Sequence, residues 1–145
     1  INQSAESFGS QCIVGAVDVL RRPEVEGEVP AWEIYINGGR KATGIDALEW
    51  VEELVDRGAG ELVLNSIDAD GTREGYDLAL NQEVARRVRV PIVASGGAGN
   101  LDHIYEVLTE GEASAALAAS IFHFQQYSIP EVKDFLRERG VVVRQ

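Results

Sequence analysis

The chain has 145 residues and a mass of 15.8 kDa, with 45% hydrophobic and 26% charged side chains and a mean hydropathy of −0.09. That composition can bury a core, which excludes a disordered tail or a linker. The 13 basic against 24 acidic side chains leave a net charge of −11 and a pI near 4.6, which excludes a phosphate-backbone binder and a basic membrane-surface protein, so neither nucleic acid nor membrane is an expected partner.

In chain order, the first apolar run is Gln11 to Val19 (QCIVGAVDV), nearly unbroken and rich in Val, as a strand covered on both faces is. The polar stretch Arg21 to Ala31 (RRPEVEGEVPA) carries two prolines and reads as a loop or the tip of a hairpin. Trp32 to Ile36 follows as a second short apolar run interrupted by Glu33. From Asp46 to Arg57, Ala47, Leu48, Val51, Leu54 and Val55 fall on one helical stripe, with Asp46 as its cap and Gly58 as its stop.

The pattern then repeats as a strand at Glu61 to Ile67, a helix at Tyr76 to Val88, a strand at Pro91 to Ser95, and a helix at Leu101 to Glu110 stopped by Gly111. A small-residue strand at Ser114 to Ala119 and a helix at Ile129 to Arg139, with Pro130 in its first turn and Gly140 after it, complete the series. Four βα units with one hairpin-like insertion predict an α/β fold with a parallel sheet and right-handed crossovers. No linker or low-complexity stretch divides the chain.

In parallel sheets of this kind ligands bind at the carboxyl ends of the strands. The residues that fall there are Asp18, then Ser66 to Thr72 (SIDADGT), then Ser95 to Gly99 (SGGAG), then Ala119-Ser120. Glycines and small residues let backbone N–H groups approach an anion, and hydroxyls add donors. Taken singly, Gly-Gly and Asp-Gly mark tight turns. Three such loops at equivalent positions of successive units are less easily dismissed, and two consecutive strand ends of this kind, the third and fourth, match the phosphate site of a (β/α)8 barrel. Asp18 stands within an apolar run, where an unpaired carboxylate would cost several kcal/mol to bury. It either faces the ligand mouth as a general acid–base group or caps a neighbouring loop as a structural acid.

Other side chains carry less. Cys12, early in the first strand, reads as a small buried hydrophobe, and as a lone cysteine it fits a reducing compartment. His103 falls on a helix and His123 in SIFHF, with no cluster at metal-ligand spacing. Trp32 and Trp50 read as packing residues, and Glu49, Glu52, Glu53 and Asp56 as a solvated helix face. No run reaches the roughly 20 apolar residues of a spanning helix, and INQSAES has no signal-peptide core, so the expected location is the cytoplasm. The sequence contains no methionine. A translated frame opens on Met, so a chain opening on Ile1 is expected to be trimmed or cut from something longer.

The strings FGSQCIVGAVD, WEIYINGGRKATGIDALEW, GAGELVLNSIDADGTREGYD, PIVASGGAGNLDHIYEVL and ALAASIFHF resemble the C-terminal half of the cyclase subunit of imidazole glycerol phosphate synthase, an enzyme of histidine biosynthesis. SGGAGN and AASIFHF resemble the cyclase rather than the phosphoribosyl-formimino isomerase of the same pathway, which shares the DGT and ASGG signatures. The resemblance implies a (β/α)8 TIM barrel, with residues 1–145 as a single C-terminal half-barrel segment. It also implies a lyase-type cyclisation without a cofactor, a phosphorylated small-molecule substrate, and ammonia from a glutaminase (glutamine amidotransferase) partner.

Residue by residue, the resemblance places the second catalytic aspartate of the family on Asp18. It places one substrate phosphate on Asp70, Gly71, Ser95, Gly96, Gly97, Ala119 and Ser120. The family's first catalytic aspartate and second phosphate site have no counterpart among these residues. Four parallel strands cannot close a barrel, so an isolated half-barrel is expected to bind phosphate and self-associate without turnover. The family has a longer helical segment between INQSA and FGSQ, so residues are expected to be missing near Glu6 to Phe8. Val19 stands where a small residue is common, and Asn65 where Thr and Asn alternate.

Overall fold

A computed structural model of the chain describes residues 1–23 and 29–144. The sheet consists of β1 (Val14–Arg21), β2 (Trp32–Ile36), β3 (Lys41–Asp46), β4 (Glu61–Ser66), β5 (Ile92–Ser95) and β6 (Ala115–Leu117), in the order β3-β2-β1-β4-β5-β6. β1, β4, β5 and β6 run parallel, while β2 and β3 extend the β1 edge as antiparallel strands. The helices are α1 (Asn2–Phe8), α2 (Ala47–Asp56), α3 (Leu78–Arg87), α4 (Leu101–Thr109), α5 (Ser120–His123) and α6 (Ile129–Glu138).

The parallel strands follow chain order without reversal. Right-handed crossovers that always step the same way put every connecting helix on one face of the sheet, so the sheet is singly wound, as a barrel wall is. Burial follows this division. Val17, Val19, Leu62, Leu64 and Ile92 join one buried cluster with Leu48, Val51 and Leu54 of α2 and Leu80 and Val84 of α3. A second cluster packs Ala94 against Ile104 and Val107 of α4, Ile121 of α5, and Val132 and Leu136 of α6.

On the other face the parallel register aligns side chains in rows. One row holds Ala16, Val63, Val93 and Ala115, and the next, nearer the carboxyl ends, holds Asp18, Asn65, Ser95 and Leu117. Ala16, Ala115 and Leu117 are exposed there, so this face lacks the cover that the helices give the other.

The helix starts obey the capping rules. Asp46 accepts hydrogen bonds from the N–H groups of Leu48 and Glu49, and Asn100 accepts from that of His103. Ser128 and Glu131 form a reciprocal capping box at the start of α6, with Pro130 in the first turn. The stripe of α2 buries Ala47, Leu48, Val51 and Leu54, whereas Glu49 and Asp56 face solvent.

Several expectations are corrected. The first strand begins at Val14, because Ser10–Cys12 forms a 3-10 turn. Cys12 is therefore exposed on that turn rather than buried in a strand. The insertion contains a further strand, β3, hydrogen-bonded to β2. β1 and β2 pair antiparallel up to Arg21 and Trp32, and the Arg22 N–H donates to the Ala31 carbonyl at 2.8 Å, so RRPEVEGEVPA joins the arms of a hairpin as expected, while Asn37 and Gly38, with φ of 58° and 66°, make a second tight turn between β2 and β3. Residues 24–28 of that proline-containing stretch lie outside the described residues. The last strand shortens to Ala115–Leu117, and Ser120 starts a short helix directly after it. Glu6 to Phe8 form the end of α1.

Candidate functional site

At the carboxyl ends of β4, β5 and β6 three loops close on one cleft. The loop after β4 brings Asp70 and Gly71, the β5 end brings Ser95, Gly96 and Gly97, and the β6 end brings Ala119 and Ser120. All seven residues singled out in the sequence thus meet in one place. The cleft is small because its glycine-bearing loops approach one another closely. Gly97, at φ 103°, lies so close to the neighbouring loop that a Cβ would fall 1.9 Å from the Gly75 carbonyl oxygen, and the Gly75 N–H donates to the Gly97 carbonyl at 2.9 Å. A Cβ on Gly96, at φ 93°, would fall 2.6 Å from the Ser66 carbonyl oxygen. Only glycine permits both the left-handed backbone and this approach of two loops.

The loops are fixed from behind. The Asp70 N–H donates to the Ser66 carbonyl at 2.9 Å, and the Ser66 hydroxyl to Asp68 at 3.1 Å, which winds the DADG segment into a tight turn. The Gly99 N–H donates to His103 Nδ1 at 3.1 Å, so this helix histidine supports the SGGAG loop. The Tyr76 hydroxyl donates to the Leu117 carbonyl at 2.9 Å and ties the β4 loop to the β6 end. Burial pushes that phenol well above its ordinary pKa, because the phenolate has no water to solvate it.

Asp18 lies beside this cleft, two strands from Ser95, at the β1 end where β1 pairs with both β2 and β4. It lines a second hollow with Tyr35, Trp50, Val63 and Asn65. Its carboxylate accepts a hydrogen bond from Asn65 Nδ2 at 2.9 Å, and the Ser95 hydroxyl donates to Asn65 Oδ1 at 3.2 Å. The buried-charge problem posed by the sequence is thereby met by half-exposure and one side-chain donor. Trp50 edges this hollow while packing against the core, and Trp32 is fully buried.

Sequence reasoning missed two residues here. Arg73 lines the same cleft, its guanidinium 5.6 Å from the Phe124 ring centroid. Its signal was a basic residue directly after the DGT turn, on a backbone at φ 63° that ordinary side chains rarely adopt. Asn65 was noted only as a position, and its bond to Asp18 emerges from strand register. His123 is exposed, and among the described residues no three His, Cys, Asp or Glu side chains gather as a metal site. No helix among them is long and apolar enough to cross a membrane.

A protein-family model described as histidine biosynthesis protein matches residues 1–128. The chain is 55% identical over 144 residues to the imidazole glycerol phosphate synthase subunit HisF of Microcystis aeruginosa, an alignment that covers 99% of this chain and 56% of that protein. It is 58% identical to the subunit HisF of Symbiobacterium thermophilum, covering 99% of this chain and 55% of that protein. The corresponding protein of Synechocystis sp. is 51% identical, with coverage of 99% and 54%. The chain spans about half the length of the curated relatives it matches.

Proposed function

The chain belongs to the histidine biosynthesis protein family, and from that premise we propose that it is the C-terminal half-barrel segment of an imidazole glycerol phosphate synthase cyclase. In that reaction ammonia supplied by a glutaminase partner meets phosphoribulosyl-formimino-aminoimidazole-carboxamide ribonucleotide at the carboxyl-end mouth. The ammonia nitrogen condenses with the ribulosyl carbonyl, and the adduct cyclises and splits into imidazole glycerol phosphate and aminoimidazole carboxamide ribonucleotide. The relatives are named as a subunit of imidazole glycerol phosphate synthase, which supports a partner and favours this reading over the related isomerase. The cytoplasm is the place this chemistry implies.

The observation that carries the reading is the convergence of three glycine- and hydroxyl-bearing strand-end loops on one cleft, with a carboxylate at the adjacent strand end. The cleft takes one phosphate of the substrate on Gly71, Ser95, Gly96, Gly97, Ala119 and Ser120, with Asp70 shaping the turn. Binding energy gathered there holds the reacting centre over Asp18. Asp18 takes and returns protons as the ring closes, one member of a pair of carboxylates whose other member comes from outside these residues.

Substituting Asp18→Asn in the intact protein, assayed with ammonium salt as nitrogen source, should lower kcat about 100-fold or more with KM within about twofold. Unchanged turnover would falsify the role of Asp18. A second reading is favoured by the chain's covering about half of its relatives: the 145 residues alone bind phosphate and self-associate without catalysis. It is separated from the first by assaying the segment alone, which then binds inorganic phosphate but forms no product.

A further inference from the structure

Asp18, Asn65 and Ser95 stand side by side in one row across β1, β4 and β5. Their side chains form a continuous hydrogen-bonded run from the acid to the cleft, at 2.9 Å between Asp18 and Asn65 and 3.2 Å between Asn65 and Ser95. Chemistry fixes the direction of the run. A carboxylate only accepts, so the Asn65 NH2 faces Asp18, which turns the Asn65 oxygen toward the proton of the Ser95 hydroxyl. Ser95 is at the same time a wall of the phosphate-type cleft. Its single hydroxyl proton can go to Asn65 or to an anion in the cleft, and not fully to both.

Resting on the reading of the cleft as a phosphate site and of Asp18 as the acid–base group, we propose that Asn65 is a positioning residue that couples phosphate occupancy to the orientation of Asp18. With the cleft empty, Ser95 holds the Asn65 amide and Asn65 holds the carboxylate. When a phosphate monoester takes the Ser95 proton, the amide oxygen loses its anchor, and the carboxylate is released toward the substrate with one donor still attached. Substrate seated by its phosphate thus sets the acid–base group free at the time it is needed. The spacing suits such a relay: neighbouring strands lie about 4.8 Å apart, so two strand spacings separate anchor from acid, a distance one amide side chain bridges. In this relay Asn65 acts through Asp18, whose carboxylate it holds.

The test is a double-mutant cycle in the intact protein, read as kcat and KM with ammonium salt. Asn65→Ala should lower kcat about 10- to 100-fold, the cost of a misplaced catalytic group, with KM within about twofold. Asn65→Asp, which keeps the shape and the acceptor for Ser95 but replaces the donor toward Asp18 with a second carboxylate, should lose at least as much kcat. Ser95→Ala should raise KM in either background, and should change kcat in the parent protein but not in the Asn65→Ala protein. Additive kcat effects, or an Asn65→Ala protein with parental kcat, would overturn the coupling. If Asp18→Asn abolishes turnover while the Asn65 variants keep it, the coupling falls and the role of Asp18 stands. If Asp18→Asn is fully active, both fall.

Discussion

Arg73 is the one basic side chain among the described residues that lines the cleft proposed to hold phosphate, and it shares that wall with Asp70 in a chain of net charge −11. A dianion entering such a site meets repulsion unless a cation offsets it, and a guanidinium matches the oxygens of phosphate as a planar fork. The Phe124 face holds that guanidinium near the rim. Arg73→Ala should therefore weaken inorganic phosphate binding about 10-fold, the worth of one charged hydrogen bond, and flatten its dependence on salt. Titrations of the intact protein at two ionic strengths check this, with Arg73→Lys expected between the two. Tyr76 supplies a second residue-scale test. Its folded-state pKa is raised by burial, so its contribution to stability is complete below the ordinary phenol value of about 10 and is lost as pH rises beyond it. Tyr76→Phe should cost about 1 kcal/mol at neutral pH by unpairing the Leu117 carbonyl. The same variant should lose less stability than the parent between about pH 10 and pH 12. Urea midpoints at neutral and alkaline pH measure both effects.

Among the elements, the β2–β3 hairpin and α3 are joined through one side chain. Asp77 Oδ1 accepts from the Leu80 N–H at 2.9 Å, capping α3, while Oδ2 accepts from the indole N–H of Trp32 at 2.8 Å. Trp32 is fully buried on β2, so its donor has no recourse to water. Asp77→Ala should cost about 2–4 kcal/mol, the sum of a lost cap of about 1 kcal/mol and a buried donor left unpaired at about 1–3 kcal/mol. Asp77→Ser keeps the cap alone and should fall between, as denaturant midpoints followed by tryptophan fluorescence would show. The sequence displayed α2, β1, β4 and β5 clearly because their apolar stripes and runs face a helix-covered core. It concealed β3, since Lys41–Asp46 is a largely exposed strand without apolar alternation whose pairing comes from β2. The Asn37-Gly38 pair was the available signal for that hairpin. Cys12 was misplaced because apolar continuity from Gln11 onward says nothing of where hydrogen bonding to a neighbour begins, and that pairing starts at Val14. The cleft loops were legible because glycines mark them locally. The Asp18–Asn65–Ser95 run was not, because it joins residues 47 and 30 positions apart in the chain through register alone.

For the molecule as a whole, the decisive asymmetry is between the two faces of the sheet. Helices cover one, while among the described residues no helix lies above the row of Ala16, Val63, Val93 and Ala115 on the other, with Val14 51% and Leu117 47% exposed at its margins. An apolar sheet face of this extent needs a second layer, and the relatives carry about as much chain again as the 145 residues match. Two opposing terms then act on the chain by itself. Burial of the open face favours association, and a net charge of −11 on each copy opposes it. Salt decides between them, since the screening length falls from about 10 Å at 0.1 M to about 3 Å at 1 M while apolar burial is not weakened. Sedimentation of the 145-residue chain should therefore show self-association that grows with added sodium chloride. Ala16→Lys or Ala115→Lys should suppress it by placing a charge in the middle of the open face, even though either change lowers the net repulsion between copies. Should the lysine variants associate more strongly than the parent, repulsion rather than the open face would control the equilibrium, and the second layer would have to lie elsewhere on the molecule.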